Sequence, residues 1–237
     1  MIKIDNVQKK YGRAAVLNDI NLEINDQEFL CLVGESGSGK TTLLKIIAGL
    51  IAATRGEVYI DNKILEGINF DSSMVFQNGA LLPWLTAKEN VLLPFELTGT
   101  NYDQKEIEQL LREVEVHDFE NKTPRDLSGG QRQRVGIARA LAVKRKILLL
   151  DEPFSALDIK TATELRQDLL DLWKTKKLTV IMVSHLVEEA VELADRIVVM
   201  KGGQIQARIN VDLARPRNPE SKEFIKVSDH IKAIIES

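Results

Sequence analysis

One continuous segment, "FLCLVGESGSGKTTLLKII" (29–47), constrains the fold of this chain more than any other. Its apolar start, "FLCLV" (29–33), is typical of a buried strand, and Cys31 is expected to fill that strand. A loop of glycines and serines follows, and it leads without a break into an apolar run with helical spacing, predicted as a helix over 41–48. A strand, loop and helix in this order predict an α/β core.

The loop "GESGSGKT" (34–41) matches G-x-x-x-x-G-K-[ST] at every fixed position. Glycines let successive N–H groups point into one concavity, and the helix N-terminus adds its positive end, so the loop is suited to phosphate oxygens. Lys40 is predicted to reach the β- and γ-phosphates and Thr41 a Mg²⁺ ion. A flexible surface loop would explain neither the lysine nor the flanking strand and helix. The predicted phosphate-binding residues are Gly34, Glu35, Ser36, Gly37, Ser38, Gly39, Lys40, Thr41 and Thr42.

Composition narrows the class of protein. The 237 residues are 44% hydrophobic and 28% charged, which is ordinary for a folded domain. A net charge of −3 with both signs interspersed predicts no nucleic-acid partner, and one cysteine allows no disulfide framework. No apolar run reaches the ~18 residues of a membrane span, so we expect a cytoplasmic protein that touches a membrane only through a partner.

The rest of the chain alternates between strand and helix patterns. Short alternating runs predict a β-rich start, and charged helical spacing predicts a helical middle. Two apolar runs ending in polar residues predict parallel strands with a helix between them. A proline-containing strap and a last short helix end the sequence. The predicted segments are strands in 2–24, 56–65, 146–153 and 178–185, helices in 102–118, 131–145, 159–175 and 224–236, and the strap at 211–224.

Two adjacent carboxylates end the apolar run "ILLLDEP" (147–153). Asp151 is predicted to hold the Mg²⁺ shell, and Glu152 to orient or deprotonate a water for in-line attack on the γ-phosphorus. A helix cap after a strand would use one acid and would leave the pair unexplained.

At "LSGGQRQRVGIARAL" (127–141) the sequence resembles the ATP-binding-cassette (ABC) family, whose signature is LSGGQ. Ser128 is predicted to cap a helix that starts near Gly130, which would make a second anion site; a capped helix alone is the other interpretation. The resemblance implies that Ser128, Gly129, Gly130 and Gln131 contact ATP. It also implies an α/β P-loop NTPase (RecA-like) core with an N-terminal antiparallel β subdomain and an inserted α-helical subdomain.

Further site residues follow from the resemblance alone. Tyr11 looks like the aromatic that stacks on adenine, and Gln77 like the glutamine that contacts Mg²⁺ and the attacking water. Asp158 in "SALD" looks like the loop aspartate at the dimer seam, and His185 like the histidine that contacts the γ-phosphate. Without the resemblance, Tyr11 would be a core or strand-edge residue, Gln77 a solvated loop residue and Asp158 a helix cap.

The resemblance covers nearly the whole chain and implies an assembly. One signature and one phosphate loop per chain imply a head-to-tail dimer of two copies that encloses two ATP molecules. Transmembrane permease subunits are the implied partners, with a solute-binding protein reached indirectly. The implied localisation is the inner face of the cell membrane. The whole of 1–237 would be one nucleotide-binding domain, with a helical subdomain at about 86–143 and a C-terminal extension at about 205–237.

Finer similarity points to importers of the nitrate/sulfonate/taurine type. It is carried by "FQNGALLPWLTAKENV" (76–91) and "VDLARPRNPESKEF" (211–224). Trp84 either anchors the partner's coupling helix from an exposed loop or packs inside the helical subdomain. An exporter or lipid transport system is the main alternative. A soluble cassette ATPase would usually carry two cassettes or a long insertion, and neither is present.

Overall fold

The computed structural model describes residues 1–77 and 79–236. Asn78, which falls within the predicted segment 76–91, and Ser237, the last residue of the predicted extension, lie outside the described residues. The strands are β1 (Ile2–Tyr11), β2 (Ala14–Ile24), β3 (Phe29–Val33), β4 (Arg55–Ile60), β5 (Lys63–Ile64), β6 (Ser72–Val75), β7 (Ile147–Asp151), β8 (Thr179–Val183), β9 (Arg196–Lys201) and β10 (Gln204–Asn210). The helices are α1 (Lys40–Ile47), α2 (Ala87–Thr98), α3 (Gln104–Glu113), α4 (Gly129–Ala142), α5 (Ile159–Lys176), α6 (Val187–Leu193) and α7 (Lys222–Glu236).

The chain divides into two units, and the first is built from Met1–Phe70 together with the residues from Leu178 on. It contains an antiparallel sheet with the strand order β2-β1-β4-β5. In a second group of strands, β3 pairs in parallel with both β8 and β9, and β9 forms an antiparallel pair with β10. All five residues of β3 and of β8 are buried, as expected for parallel strands that are covered on both faces. Cys31 is among them, as predicted.

The second unit is the continuous segment Asp71–Lys177. Its strands β6 and β7 are parallel, and α4 packs against α2, α3 and α5. A buried arginine of α4, Arg134, forms ion pairs with Asp168 and Glu115. Helices α2 and α4 both begin with a capping box, in which a Ser or Thr side chain and a Glu or Gln three residues later satisfy each other's backbone N–H groups.

Two predicted helices are shorter than their sequence patterns. The prediction over 102–118 holds for α3, but the helix ends at Glu113 and a 3-10 turn follows at His117–Phe119. The predicted helix over 131–145 is α4, which ends at Ala142. In both cases a residue shortly after the helix, Glu115 or Lys144, adopts a left-handed backbone with φ of 54° or 51°, which an α-helix cannot continue through.

Candidate functional site

The predicted phosphate loop runs from the end of β3 into α1. Lys40, the first residue of α1, is only 6% exposed. Its ammonium group donates to the carbonyl oxygens of Gly34 at 2.7 Å and Glu35 at 2.8 Å, and to Ser38 Oγ at 3.3 Å. These oxygens satisfy the charge that burial would otherwise destabilise. The loop therefore closes around its own lysine and keeps a positive charge at the N-terminus of α1.

Steric contact explains two of the loop glycines. A Cβ at Gly34 would lie 2.0 Å from the carbonyl oxygen of Met200, and one at Gly39 would lie 2.5 Å from Leu17 Cδ2. Both glycines have positive φ, 143° and 98°, which side chains rarely adopt. The loop can therefore present its backbone N–H groups at close range only because these positions carry no side chain. This geometry fits a phosphate-binding cradle.

Two other predicted residues of the first unit are exposed. Tyr11 ends β1, is 53% exposed, and has the Lys9 ammonium 5.0 Å from its ring centroid. His185 follows β8 and is exposed in the short connection to α6. Thr41 and Thr42, in the first turn of α1, are half-buried. Each of these side chains is thus placed where a ligand can reach it.

In the second unit the predicted catalytic carboxylate and glutamine are brought together. Gln77 Nε2 donates to Glu152 Oε2 at 3.3 Å and to Ser155 Oγ at 3.1 Å. Glu152 has a left-handed backbone, with φ of 48°, directly after Asp151 ends β7. The Glu152 carboxylate thus meets the side-chain amide of Gln77, which lies in another loop. The bond to Ser155 was not predicted from the sequence.

The predicted signature segment begins α4. Ser128 is the N-cap, its Oγ accepts the Gln131 N–H at 3.2 Å, and Gln131 Oε1 accepts the Ser128 N–H at 2.9 Å. The side-chain oxygen of Gln131 therefore completes the cap. A Cβ on Gly130 would lie 2.3 Å from Thr161 Cγ2, whereas the nearest atom to a Cβ on Gly129 is 3.4 Å away. Packing against α5 accordingly explains Gly130.

Asp158 is the N-cap of α5. Its Oδ1 accepts the Thr161 N–H at 3.0 Å, and hydrogen bonds from the backbone and side chain of Thr161 lower the pKa of Asp158. The helix-cap interpretation thus describes its contacts within one chain, and a role at a dimer seam would come in addition to that cap.

Trp84 is 72% exposed. The alternative in which it packs inside the helical subdomain is therefore wrong. The ring precedes α2 and is followed by the Thr86 cap of that helix. An exposed ring next to a well-defined helix start is available to a partner.

The residues predicted to hold Mg²⁺ offer suitable donors. Thr41 provides a hydroxyl, Gln77 an amide oxygen and Asp151 a carboxylate, and Mg²⁺ prefers such hard oxygen ligands. The amide nitrogen of Gln77 faces Glu152 and Ser155, so the oxygen is the end of that group suited to a metal.

Sequence reasoning missed a buried pair beside His185. Ser184 Oγ donates to Glu189 Oε2 at 2.6 Å and accepts the Leu186 N–H at 3.0 Å. Ser184 is 1% exposed and Glu189 7%. Burial raises the pKa of the nearby Cys31 thiol, with the Glu189 carboxylate as the second cause. The helix α6 contains three glutamates in seven residues, and nothing in the sequence distinguishes Glu189 as the buried one.

Comparison with known proteins identifies the family. The family model described as ABC transporter matches residues 17–155. The chain is 41% identical to the bicarbonate transport ATP-binding protein CmpD of Synechocystis over 92% of this chain and 81% of that protein. It is 40% identical to the nitrate import ATP-binding protein NrtD of Synechocystis, over 95% of this chain and 90% of that protein. It is also 40% identical to the aliphatic sulfonates import ATP-binding protein SsuB of Albidiferax ferrireducens, over 95% of this chain and 80% of that protein.

A solved structure agrees with these matches. A dimeric, post-hydrolysis form of the ATP-binding cassette MJ0796, bound to ADP and Pi, superposes with a TM-score of 0.80 at 37% sequence identity, covering 90% of this chain and 100% of that one. The predicted fold, an α/β cassette with an antiparallel N-terminal sheet and a helical insertion, is thereby confirmed. Because the family model spans more than half of its length, this chain belongs to the ABC transporter family and is an ATPase of that family.

Proposed function

We propose that this chain is the ATP-hydrolysing subunit of an importer for a small solute of the kind named for its relatives: nitrate, bicarbonate or an aliphatic sulfonate. The observation that carries the ATPase part is the glycine cradle closed around Lys40. Support for import comes from the names of the relatives, each about 40% identical over nearly the whole chain.

The residues of the first unit bind the nucleotide. Loop N–H groups and Lys40 hold the β- and γ-phosphates, and Lys40 exchanges its carbonyl contacts for phosphate oxygens of greater charge. Tyr11 stacks on the adenine through its exposed ring. His185 donates to the γ-phosphate from the connection after β8.

The residues of the second unit carry out hydrolysis. Thr41, Asp151 and Gln77 would hold Mg²⁺, which would neutralise the charge that develops on the phosphates. Glu152 accepts a proton from water as the water oxygen forms a bond to the γ-phosphorus, and the bond to the β-phosphate oxygen breaks to leave ADP and Pi. Gln77, held by Glu152 and Ser155, orients that water.

A second copy of the chain completes each nucleotide site. The N-terminus of α4 contacts the nucleotide bound to the other copy through Ser128, Gly129, Gly130 and Gln131. Asp158 lies at the seam between the two copies. The dimeric form of the related cassette supports this arrangement. A helical subdomain at about 86–143 receives the permease, and a C-terminal extension spans about 205–237. The subunit is therefore peripheral on the cytoplasmic face of the membrane, with a solute-binding protein reached only through the permease.

The Glu152→Gln variant tests this proposal. Glutamine keeps the shape and the contact with Gln77 but cannot take the proton from water, so we expect turnover to fall at least about a hundredfold. ATP binding persists, because the phosphate loop is untouched. With Mg-ATP the variant forms a stable dimer in light scattering.

Wild-type turnover in Glu152→Gln would remove Glu152 from the mechanism. A variant that binds ATP tightly yet remains monomeric at saturating Mg-ATP would instead contradict the two-copy site. Ser155→Ala is the matched control: it removes the second acceptor of Gln77 and a hydrogen bond to the Glu152 carbonyl oxygen but keeps the Glu152 carboxylate, so it should lower turnover much less.

A further inference from the structure

The helix α6 determines the backbone that carries His185. It begins two residues after His185, and the Ser184 hydroxyl ties the intervening connection to α6 through Leu186 and Glu189. Both Ser184 and Glu189 are buried, so this junction has little freedom. A displacement of α6 would therefore move His185.

The opposite end of α6 is held by the C-terminal segment, defined here as residues 211–236. The last four carbonyls of a helix have no partner within the helix. Here all four carbonyls, at residues 191–194, accept hydrogen bonds from two arginines. Arg217 Nη1 contacts Val191 and Ala194, each at 2.6 Å, and also Glu192, while Arg215 Nη2 contacts the remaining carbonyl.

The same arginines are fixed to the segment that carries them. Arg217 also donates to Leu213 O at 3.0 Å and Val211 O at 2.9 Å, and Arg215 pairs with Asp195 at 2.8 Å. Arg217 is only 9% exposed. Burial, and then the neighbouring Arg215, lower the pKa of Arg217 to about 10, so it still carries its charge at neutral pH.

A third contact joins α6 to the last helix. Lys232 of α7 pairs with Glu188 of α6 at 2.6 Å, and the two helices pack together. Burial alone would raise the pKa of Glu188, but the hydrogen bond from Lys232 helps to lower it below its usual value. The same pair raises the pKa of Lys232. The C-terminal segment thus contacts α6 near its start as well as at its end.

We propose that Arg217, together with Arg215, is a positioning residue for hydrolysis: the C-terminal segment clamps the end of α6 and so sets the position of His185. This inference rests on the proposed contact of His185 with the γ-phosphate. It gives the C-terminal segment a role in turnover, and it makes that segment a place from which turnover can be lowered without blocking nucleotide binding.

A double-mutant cycle on the full chain tests the proposal. Arg217→Gln, His185→Ala and the double variant are compared with wild type for kcat and KM with Mg-ATP. We expect Arg217→Gln to lower kcat about tenfold, with KM changed less than about threefold, because a small displacement of a catalytic group lowers chemistry more than binding. In the His185→Ala background, Arg217→Gln should cause no further loss.

Controls separate positioning from folding. Arg208→Gln removes an arginine of β10 that donates to Asn21 O, and it should leave kcat unchanged. Arg217→Lys keeps the charge but places all its donors on one nitrogen, so it cannot contact the α6 carbonyls and those of Val211 and Leu213 together, and it should recover only part of the lost kcat. If Arg217→Gln does not fold, Lys232→Gln replaces it in the cycle, because that ion pair is exposed and its loss leaves the core intact.

The outcomes are distinct. The proposal is supported if Arg217→Gln lowers kcat in the wild-type background and causes no further decrease in kcat in the His185→Ala background. An equal proportional loss in both backgrounds overturns it, since the arginine would then act on the whole fold. If His185→Ala itself leaves kcat unchanged, the assignment of His185 fails and the proposal fails with it.

Discussion

A glycine can be required by backbone conformation or by the atoms around it, and this chain contains both cases. Gly37 has a φ of 82° and open space around its Cβ position, so only conformation limits it. Gly130 lies in a regular helix and is limited only by Thr161. Sequence reasoning assigned Gly130 to ligand access, and the structure adds a packing reason that no motif contains.

Replacement of Gly130 tests that packing reason. Gly130→Ala should lower the free energy of unfolding by about 1–3 kcal/mol, because the new methyl group overlaps Thr161 Cγ2. Thr161→Ser removes that methyl group, so most of the loss should disappear in the double variant. Urea unfolding of the nucleotide-free protein measures both changes.

Gly129→Ala is the matched control, since its methyl group would meet Leu157 at an ordinary 3.4 Å. Its stability should stay within about 0.5 kcal/mol of wild type, because alanine favours the helix. If Gly130→Ala is as stable as Gly129→Ala, or if adding Thr161→Ser restores no stability, the contact with Thr161 does not explain why residue 130 is glycine.

Whole helices and strands were predictable where their patterns are long. The start of α1, the helix α5 and the buried strands β3, β7 and β8 agree with the sequence, because continuous apolar runs and helical spacing extend over several residues there. The helix α6 has seven residues, too few for a clear period. The hairpin of β9 and β10 was missed although its turn, "GG" (202–203), is a recognised hairpin signal.

The partners of isolated charges were not predictable. Arg217 lies in a proline-containing segment, and its acceptors at the end of α6 include carbonyls 26 and 23 residues earlier in the chain. Carbonyl acceptors leave no trace in the sequence, since every residue has one. The site residues that belong to motifs were predicted, whereas their supports, Ser184, Glu189 and Arg217, became visible only with the fold.

The cap of α2 predicts a pH dependence of stability. Hydrogen bonds from the backbone N–H and hydroxyl of Thr86 lower the pKa of Glu89. A lowered folded-state pKa means that the stabilisation is complete above the unfolded value of about 4.3 and is lost as pH falls through the folded value. Glu89→Gln keeps an acceptor but does not titrate.

The difference in melting temperature between wild type and Glu89→Gln measures this effect. Wild type should be the more stable at pH 6, and the difference should narrow as pH is lowered below about 4. Glu96→Gln, on the same helix, is the control. A difference that is constant from pH 6 to pH 3 would show that the charge of Glu89 does not stabilise the cap.

At the scale of the whole molecule, the exposed Trp84 is the feature that bears on partners. Within the described residues 1–77 and 79–236, no helix is both long and apolar enough to cross a bilayer. Trp84 is one of the most exposed large apolar side chains, and amphipathic rings of this kind are enriched at protein interfaces. We expect it to contact the permease.

Purification of Glu152→Gln from gently solubilised native membranes tests this expectation. A multispanning membrane protein should accompany it, and adding Trp84→Ala should reduce the recovery of that protein severalfold. Phe70→Ala, which removes another exposed ring, should not. Recovery of ribosomal or DNA-repair components with nothing from the membrane would move the protein to a soluble function and leave its ATP chemistry unaffected.

The order in which the strands occur along the chain has a consequence for biosynthesis. The strand β3, which leads into the phosphate loop, pairs with β8 and β9, and both follow residue 178. The carbonyl that packs against Gly34 belongs to Met200. A nascent chain that has emerged only as far as Lys177 contains all of the second unit but neither of these partners of β3. During translation, the continuous unit can fold first, and the loop after β3 acquires its native surroundings only after Met200 has emerged.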